Sequence, residues 1–415
     1  MKIFISYRRD DSLAIAGRIY DRLRGHFGRG TVFMDLDAIP VGEDFREVIQ
    51  DAINEADVLL ALIGTDWLGQ DQRLQSQKDL VRAEIETALN YGPVRIVVDN
   101  YSELEMLAAI SRRLGRRANL LLRVIPGVEP DTHSHIKTGH HESKFGIPIP
   151  EIDTFINYIK RFPREMNLLG LHVHIGSQTH ELEPYFQVIE ILAQCLEQIK
   201  AKHDLHLEQM DLGGGLGIAY TEDDQVTPIY DWAKQLSDRV KSTFIKHSLP
   251  LPALILEPGR SLVGNAGVTL YRVGHTKTQA DGRICLAVDG GMADNPRPIT
   301  YQAIYTARVA NRMQSGKAKE PATIAGKFCE QGDIIVKEAQ IAAETGDLLA
   351  IFGTGAYNYS MSSNYNRTGR PACVLVMDGE AEIIIERESK EDLLRMDRVP
   401  KRFLATSSIP PPLKK

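Results

Sequence analysis

The sequence has little cysteine, no excess of positive charge and no long apolar run, and each absence excludes a class of protein. Its four cysteines are widely spaced and form no CxxC pair, which fits a reducing cytoplasm and offers no zinc knuckle. The net charge of -6 argues against a nucleic-acid partner held through phosphate contacts. Runs such as 58–63 are too short to cross a bilayer, and no N-terminal segment has the form of a signal peptide. We therefore expect a cytoplasmic protein without nucleic-acid or membrane partners.

The first ninety residues alternate between strand-like and helix-like stretches. MKIFISY, TVFMD and DVLLALIG have the length and apolar character of strands, and helical stretches are expected between them at about 11–27 and 45–54. Such an alternation predicts a parallel sheet that is covered by helices on both faces.

Three motifs in this part resemble those of the TIR domain, in the same order and at the same spacing. FISYRRDDS is similar to its first strand and loop, and VFMDLDAIPVG to its second strand and assembly loop. KDLVRAEIETAL is similar to the helix that carries a catalytic glutamate in TIR domains that cleave NAD. The resemblance covers residues 1 to about 99. It implies a flavodoxin-like α/β sheet and TIR–TIR self-association through the loop around Pro40.

The TIR resemblance also assigns chemistry to four residues. Glu84 would be the catalytic glutamate, because a carboxylate near the ribose stabilises a cationic transition state as nicotinamide leaves NAD. Tyr7, Arg8 and Arg9 would line the NAD pocket, with arginine pairing to phosphate. The alternative is an exposed helical glutamate in an inactive scaffold, since fold does not imply function. A complete TIR domain also needs a further strand and a closing helix, which the residues after Asn100 do not resemble.

From residue 94 onward, the apolar pattern predicts a (β/α) barrel followed by a β-domain. The runs VRIVVDN, NLLLRVIP, LLGLHVHIG, LEQMDLGG and ALILEPG have strand length. Helical stretches separate them at 103–114, 152–160 and 183–200. After about residue 266, VTLYRVGHT, ICLAVDG, KFCEQGDIIVKE, DLLAIFG and ACVLVMDGEAEIIIER predict strands. We expect domains at 1–91, 92–265 and 266–395, and a loose tail at 396–415.

Polar motifs follow three of the predicted barrel strands, at the end where the active sites of such barrels lie. HVHIGSQ, DLGGGLG and LEPGRS supply the candidates His174, Ser177, Gly214, Gly215, Glu257 and Arg260. The triple glycine lets backbone N–H groups approach a phosphate, although a tight turn alone would also use it. Taken singly, each polar residue also has a structural alternative, such as a core histidine or a surface ion pair.

Together with THSHIKTGHHESKFG, DNPRPITYQAIY, KFCEQGDI and GAYNYSMSSNYNR, these motifs resemble the diaminopimelate decarboxylase family. That family uses pyridoxal 5'-phosphate (PLP) in lysine biosynthesis. The resemblance runs from about residue 92 to about residue 400. It implies a fold-type III protein with a partial (β/α)8 PLP-binding barrel and a C-terminal β-barrel domain. It also implies a carboxy-lyase that acts on meso-diaminopimelate as a homodimer with shared active sites.

The resemblance gives each motif residue a role. His174 would stack on the pyridine ring, and Glu257 would pair with the ring nitrogen and keep it protonated. Cys329 would donate a proton in the partner subunit's site after CO₂ is lost. The phosphate ligands would be Ser177, Gly214, Gly215 and Tyr357. The substrate ligands would be Arg260, Arg297, Tyr301 and Glu330.

The lysine that bonds covalently to PLP in this family has no counterpart in the sequence. In the family it lies on the first barrel strand in a Y-x-x-K-A motif, and no such motif occurs here. Lys137 and Lys144 match other family positions. Residues 94–265 hold about six βα units, whereas a closed barrel needs eight and roughly 250 residues. We therefore expect PLP to bind noncovalently at best, with little or no decarboxylation by this chain alone.

The stretch EIETALNYGPVRIVVDN, at 84–100, suits both families. A natural fusion and an assembly error that joins two reading frames would leave the same sequence. The alternative function is a TIR scaffold or NAD-cleaving protein with an inactive decarboxylase remnant. We expect no metal, because spacing alone is weak support for ligation by the histidines of 133–141, and the resemblance explains that segment.

Overall fold

The computed structural model describes residues 95–128, 145–280, 282–312 and 318–400, and the backbone of three short strands nearer the N-terminus. The helices expected at 11–27 and 45–54 and the tail at 401–415 lie outside the described residues.

The three N-terminal strands form a parallel sheet, as the sequence predicts. They are β1 (Ile3–Tyr7), β2 (Val32–Phe33) and β3 (Val58–Leu62). Their order is β2-β1-β3, and β1 pairs in parallel with both neighbours. Parallel neighbours require a crossover connection, so this order agrees with the alternating pattern of the sequence.

The chain forms two compact units. The first, called the barrel unit here, comprises Met1–Thr269 and Ile351–Tyr357. The second, called the β unit, comprises Leu270–Ala350 and Asn358–Lys415.

The barrel unit contains a parallel sheet with the order β4-β5-β7-β8-β9, and β6 pairs with the far end of β5. The five main strands coincide with the five apolar runs, whereas β6 was not predicted because its two residues carry no pattern. The strands are β4 (Arg95–Val98), β5 (Ala118–Ile125), β6 (Ile147–Pro148), β7 (Met166–His172), β8 (Gln209–Asp211) and β9 (Ala253–Ile255).

Four longer helices cover this sheet, and their ends follow from local sequence. The first begins with a capping box, in which Asn100 accepts from the Glu103 backbone N–H and Glu103 accepts from the Asn100 backbone N–H. It ends at Gly115, whose φ of 65° suits glycine. The helices are α1 (Tyr101–Leu114), α2 (Ile152–Arg161), α3 (Glu183–His203) and α4 (Ile229–Lys246).

The segment that suits both families contributes its strand to the barrel unit's sheet. Val98 in β4 is fully buried and is the register partner of Leu122 in β5. Asp99 then accepts a hydrogen bond from the Gly146 backbone N–H at 2.7 Å and lies 3.9 Å from Arg123. The strand of the shared segment is therefore fixed by contacts with decarboxylase-like sequence.

The β unit is built on a sheet with the order β12-β15-β10-β11-β13-β14 and a separate β16–β17 hairpin. Asp378 and Gly379 turn the hairpin with φ values of 53° and 84°, as a type I′ turn requires. The strands are β10 (Val268–Thr278), β11 (Ile284–Val288), β12 (Ala307–Val309), β13 (Glu320–Ala325), β14 (Ile334–Ile341), β15 (Leu348–Phe352), β16 (Cys373–Met377) and β17 (Glu380–Ile385).

One predicted strand is shorter than its apolar run. KFCEQGDIIVKE was predicted to contain a strand, and β14 begins at Ile334, in the second half of that stretch. The preceding residues form a loop because the Asp333 carboxylate accepts from the backbone N–H groups of Phe328 and Met292. Short helices lie at α5 (Arg260–Val263), α6 (Arg297–Tyr301), α7 (Asn358–Met361) and α8 (Lys390–Leu394). Within the described ranges, no helix has both the length and the apolar character needed to span a membrane.

Candidate active site

The barrel unit gathers six predicted cofactor residues and Arg260 around the carboxyl ends of β7, β8 and β9. His174 and Ser177 follow β7, the glycine loop follows β8, and Glu257 follows β9. The Glu257 backbone N–H donates to the Gly213 carbonyl at 2.8 Å, and the Thr179 N–H donates to the Gly215 carbonyl at 2.9 Å. These bonds tie the three loops together at the edge where barrel active sites form.

Backbone crowding explains why the loop after β8 consists of glycine. A Cβ atom on Gly214 would lie 2.1 Å from the Glu257 carbonyl oxygen. A Cβ atom on Gly215 would lie 2.3 Å from the Gly176 carbonyl oxygen, and the φ of Gly215 is +98°. Tyr185, which is buried, donates from its hydroxyl to the Gly214 carbonyl at 2.8 Å. The loop therefore presents bare backbone in a fixed conformation, which is the kind of surface that phosphates approach closely.

Arg260, which is itself buried, contacts two of the predicted phosphate ligands. Its side chain donates to Ser177 Oγ at 2.8 Å and to the Tyr220 hydroxyl at 2.5 Å. Its guanidinium carbon lies 4.8 Å from the centre of the Tyr357 ring. Arg260 is only 5% exposed, and its Nε is buried without a hydrogen-bond partner. A buried guanidinium with an unused donor is a strong attractor for an oxyanion.

His174 is held as a neutral ring. The Gly214 backbone N–H donates to His174 Nδ1 at 3.3 Å, which leaves the ring proton on Nε2. Burial lowers the pKa of His174 to about 4, with smaller contributions from Arg123 and His172. A neutral imidazole at physiological pH suits stacking against an aromatic ring, as the resemblance implies.

Glu257 belongs to a three-residue cluster that sequence reasoning missed. His172 Nε2 lies 3.4 Å from Glu257 Oε2. One side-chain nitrogen of His172 and one carboxylate oxygen each of Asp211 and Glu257 lie within 4.8 Å of one another. The hydrogen bond with His172 holds the pKa of Glu257 below its ordinary value, although burial opposes this. Burial and the Glu257 charge raise the pKa of Asp211. His172 and Asp211 are the last residues of β7 and β8, and that position was the available signal.

The predicted substrate residues other than Arg260 lie in the β unit. Arg297 is 4% exposed and donates to the Tyr305 hydroxyl at 2.9 Å. Tyr305 in turn donates to Asn358 Oδ1 at 3.2 Å, and Asn358 donates to Asn295 Oδ1 at 2.5 Å. Tyr301 is the last residue of α6. This network of hydrogen bonds orients Arg297, although Asn295 Nδ2 at its far end is buried without a partner.

The CEQGD loop brings Cys329 and Glu330 together at the surface. The exposed Cys329 thiol donates to Glu330 Oε1 at 3.4 Å, and the Tyr365 hydroxyl also donates to Glu330. These contacts lower the pKa of Glu330, and Glu330 raises the pKa of Tyr365 to about 12.

Several predicted positions lie outside the described residues. Glu84, Arg8, Arg9, and the segment with His133, His135, His140 and His141 are among them. Tyr7 is described only as the last residue of β1.

The residues present fit the phosphate and ring of PLP. A side-chain-free glycine loop, the Ser177 hydroxyl and the unused donor of Arg260 converge where an oxyanion is expected. The neutral His174 ring follows β7 and Glu257 follows β9, on either side of the glycine loop after β8, and they can supply a stacking partner and an acceptor for a ring nitrogen.

Two family profiles match the chain. The profile described as pyridoxal-dependent decarboxylase, pyridoxal binding domain, matches residues 75–264, and the TIR domain profile matches residues 3–116. The two matches overlap in the segment that suits both families. The TIR match extends beyond residue 99, where the motif resemblance ends.

Diaminopimelate decarboxylases occur among both the curated and the solved relatives. The chain is 47% identical over 311 residues to diaminopimelate decarboxylase of Synechocystis sp., covering 75% of this chain and 66% of that protein. It is 42% identical over 321 residues to the enzyme of Halalkalibacterium halodurans, covering 76% of this chain and 72% of the relative. The crystal structure of diaminopimelate decarboxylase from M. jannaschii in complex with L-lysine superposes with a TM-score of 0.69 at 31% identity. That superposition covers 97% of this chain and 86% of the other. The chain thus belongs to the diaminopimelate decarboxylase family and carries, in addition, an N-terminal TIR domain.

Proposed function

We propose that the barrel unit binds PLP noncovalently and that this chain alone carries out little or no decarboxylation of meso-diaminopimelate. The observation that carries the proposal is the cluster of buried Arg260 with Ser177 and Tyr357. The sequence keeps this cluster and lacks the family's Y-x-x-K-A lysine motif.

The phosphate end of the cofactor would be held by backbone and side-chain donors. Gly214 and Gly215 would contribute bare backbone, and Ser177 and Tyr357 would contribute hydroxyl groups. Arg260 was predicted to bind the substrate, but its contacts with Ser177 and Tyr357 favour a phosphate role. A guanidinium satisfies a phosphate through two parallel hydrogen bonds, which an ammonium does not do.

The ring end of the cofactor would be held by Glu257 and His174. When bound, PLP supplies an electron sink for the loss of CO₂ from an amino acid. Glu257, whose pKa is lowered, would keep a proton on the ring nitrogen. His174, which is neutral because its pKa is lowered to about 4, would stack on the ring without adding charge.

The substrate side would be formed by the β unit's residues. Arg297, Tyr301 and Glu330 would bind the carboxylates and distal ammonium of an amino acid such as meso-diaminopimelate. The relative from M. jannaschii was crystallised with L-lysine, which supports a ligand of this class. Cys329, which hydrogen-bonds to Glu330, would hold the proton that replaces the lost carboxylate, in a homodimer with shared sites.

The test combines binding with turnover. Equilibrium dialysis of PLP against the full chain should show saturable, reversible binding, and CO₂ release from meso-diaminopimelate should stay near background. Absence of saturable PLP binding would contradict the cofactor part. CO₂ release at the rate of a complete family member, measured alongside as a positive control, would contradict the second part.

We also propose a second function for the N-terminal part, because the TIR profile match and the parallel β2-β1-β3 sheet favour a TIR module there. NAD would be the substrate, Glu84 the catalytic group, and Tyr7, Arg8 and Arg9 the pocket. Self-association would use the loop around Pro40.

This second function has two separate tests. Nicotinamide release from NAD should be abolished by Glu84→Ala and retained by the neighbouring control Glu86→Ala. Release that persists in Glu84→Ala would exclude a catalytic role for Glu84.

Replacing Pro40 should weaken self-association in sedimentation experiments, and unchanged sedimentation excludes the loop as the interface.

A further inference from the structure

We infer that His172 is a positioning residue that orients the Glu257 carboxylate toward the cofactor ring and keeps it ionised. The inference rests on the proposed PLP site and assigns a role to a side chain that the family resemblance did not single out.

Strand register fixes His172 in place. It is the last residue of β7, its register partner in β8 is Asp211, and its register partner in β5 is Arg123. Asp211 is in turn paired with Ile255 at the end of β9, two residues before Glu257. Residues paired across parallel strands share one face of the sheet, so the strand register makes these side chains neighbours. His172 is 4% exposed, and such packing leaves its ring little freedom.

The His172 ring lies against the carboxylate rather than against solvent. Its Nε2 is 3.4 Å from Glu257 Oε2, which is within hydrogen-bonding distance. Its Nδ1 is buried without a hydrogen-bond partner. Among the residues that the structure describes, the hydrogen bond with Glu257 therefore orients the ring.

The charges around Glu257 explain why a histidine is needed there. Glu257 faces His172, His174, Arg123 and Asp211. Asp211 is buried and the Glu257 side chain is about half exposed, and the proximity of two carboxylates disfavours ionisation of both unless a partner compensates. Burial and the Glu257 charge raise the pKa of Asp211, so ionisation is disfavoured at Asp211. The hydrogen bond with His172 instead lowers the pKa of Glu257.

Arg123 does not replace His172 in this role. Burial lowers the pKa of Arg123, and its nearest described acidic partner is Asp99 at 3.9 Å. His174 is neutral near pH 7 and offers its Nδ1 to the Gly214 N–H. Removing His172 therefore leaves Glu257 beside Asp211 without a hydrogen-bonding ring, and a proton on Glu257 would weaken its bond to a protonated ring nitrogen.

The experiment compares PLP with the analogue in which carbon replaces the ring nitrogen. Both ligands keep the phosphate contacts, and only PLP can bond to Glu257 through the ring. Wild-type protein should bind PLP more tightly than the analogue. In His172→Asn the ratio of the two dissociation constants should fall ~10-fold, the value of a hydrogen bond to a charged group. His172→Gln, which places an amide near the position of Nε2, should retain part of the ratio.

A matched control separates positioning from stability. His203 is 8% exposed and its Nε2 lies 2.6 Å from Asp153, so His203→Asn removes a similar pair elsewhere in the barrel unit. This variant should keep the wild-type ratio. In Glu257→Gln the ratio should be lost, and adding His172→Asn should change it no further.

Each outcome bears on the inference. Equal weakening of both ligands in His172→Asn and His172→Gln would show a merely structural role and overturn it. An additive effect in the double variant would also overturn it. Failure of the wild-type chain to bind either ligand would instead overturn the proposed PLP site, and the inference with it.

Discussion

The barrel unit and the β unit support their functional side chains in different ways. In the barrel unit, backbone of three loops forms the site, and side chains such as Arg260 pack onto it. In the β unit, a chain of side-chain hydrogen bonds from Asn295 to Arg297 holds one candidate, while Cys329 stands exposed on a loop. If the proposed roles hold, the difference teaches that cofactor binding depends on the backbone of one unit and substrate binding on side chains of the other. The predictions below separate the two.

The largest expected effect comes from filling the glycine loop. Gly214→Ala would place a Cβ atom 2.1 Å from the Glu257 carbonyl oxygen. This oxygen belongs to the backbone, which cannot move aside as easily as the end of a flexible side chain. We expect a loss of about 3 kcal/mol in the free energy of unfolding and no detectable PLP binding. Urea titration and dialysis measure these effects. The control Gly274→Ala, with its nearest atom at 3.7 Å, should change neither.

A smaller effect is expected at the cofactor's phosphate. Arg260→Lys keeps the charge but loses the planar donor pair that reaches Ser177 and Tyr220. PLP affinity should fall ~10- to 100-fold, as for a lost charged hydrogen bond. Pyridoxal, which lacks the phosphate, should bind both proteins equally. The exposed-face control Arg239→Lys, which contacts the Phe186 ring at 5.0 Å, should leave PLP affinity intact. An equal loss of affinity for PLP and for pyridoxal would contradict the phosphate role of Arg260 and favour the substrate role that the sequence predicted.

The complementary change in the β unit should spare the cofactor. Tyr305→Phe removes the hydroxyl that accepts from Arg297 and donates to Asn358. Stability should fall by about 1–3 kcal/mol, because the variant loses a buried hydrogen bond to the charged Arg297 side chain. PLP affinity, measured by dialysis, should not change. Loss of PLP binding in this variant would contradict the separation of roles, and Tyr230→Phe, at a 75% exposed position, is the reference for hydroxyl removal.

The smallest effect concerns pH and a surface cluster between α3 and α4. Hydrogen bonds to Glu190 and Glu197 raise the pKa of His247 above 6.5, and bonds from Lys246 and His247 lower the pKa of Glu190 to about 2. The histidine's contribution is therefore complete below pH 6.5 and is lost as pH rises through its raised pKa. The carboxylate's contribution is present at neutral pH and is lost only as pH falls toward 2. The melting temperature should fall shallowly above pH 6.5, and His247→Gln should flatten that slope. An unchanged slope would mean that other groups set it.

Much of this molecule could be predicted from sequence, because its signals are local. The strands β4, β5, β7, β8 and β9 are dense apolar runs, and their polar ends mark the site. The helix α4 was not among the predicted stretches, although its buried residues Trp232, Leu236, Val240 and Phe244 recur at helical spacing. The helical periodicity was therefore present in the sequence, and it was overlooked.

What could not be predicted depends on contacts between distant residues. His172 stands next to Glu257 only because β7, β8 and β9 pair in one register, and no short window contains that information. Arg260 was assigned to the substrate from its motif, and only its contacts with Ser177 and Tyr357 favour the phosphate. The loop before β14 escaped detection because the Asp333 carboxylate, not the apolar pattern, shapes it.

The central claim is that this chain keeps a PLP site without a lysine that bonds to the cofactor. Borohydride treatment of the PLP-saturated chain, followed by peptide mapping, tests it most directly. We predict no stoichiometric reduced adduct at any one lysine, Lys137 and Lys144 included, and recovery of PLP on dialysis of the untreated complex. A stoichiometric adduct mapped to a single lysine would contradict the account, because it would show that another lysine performs the missing role.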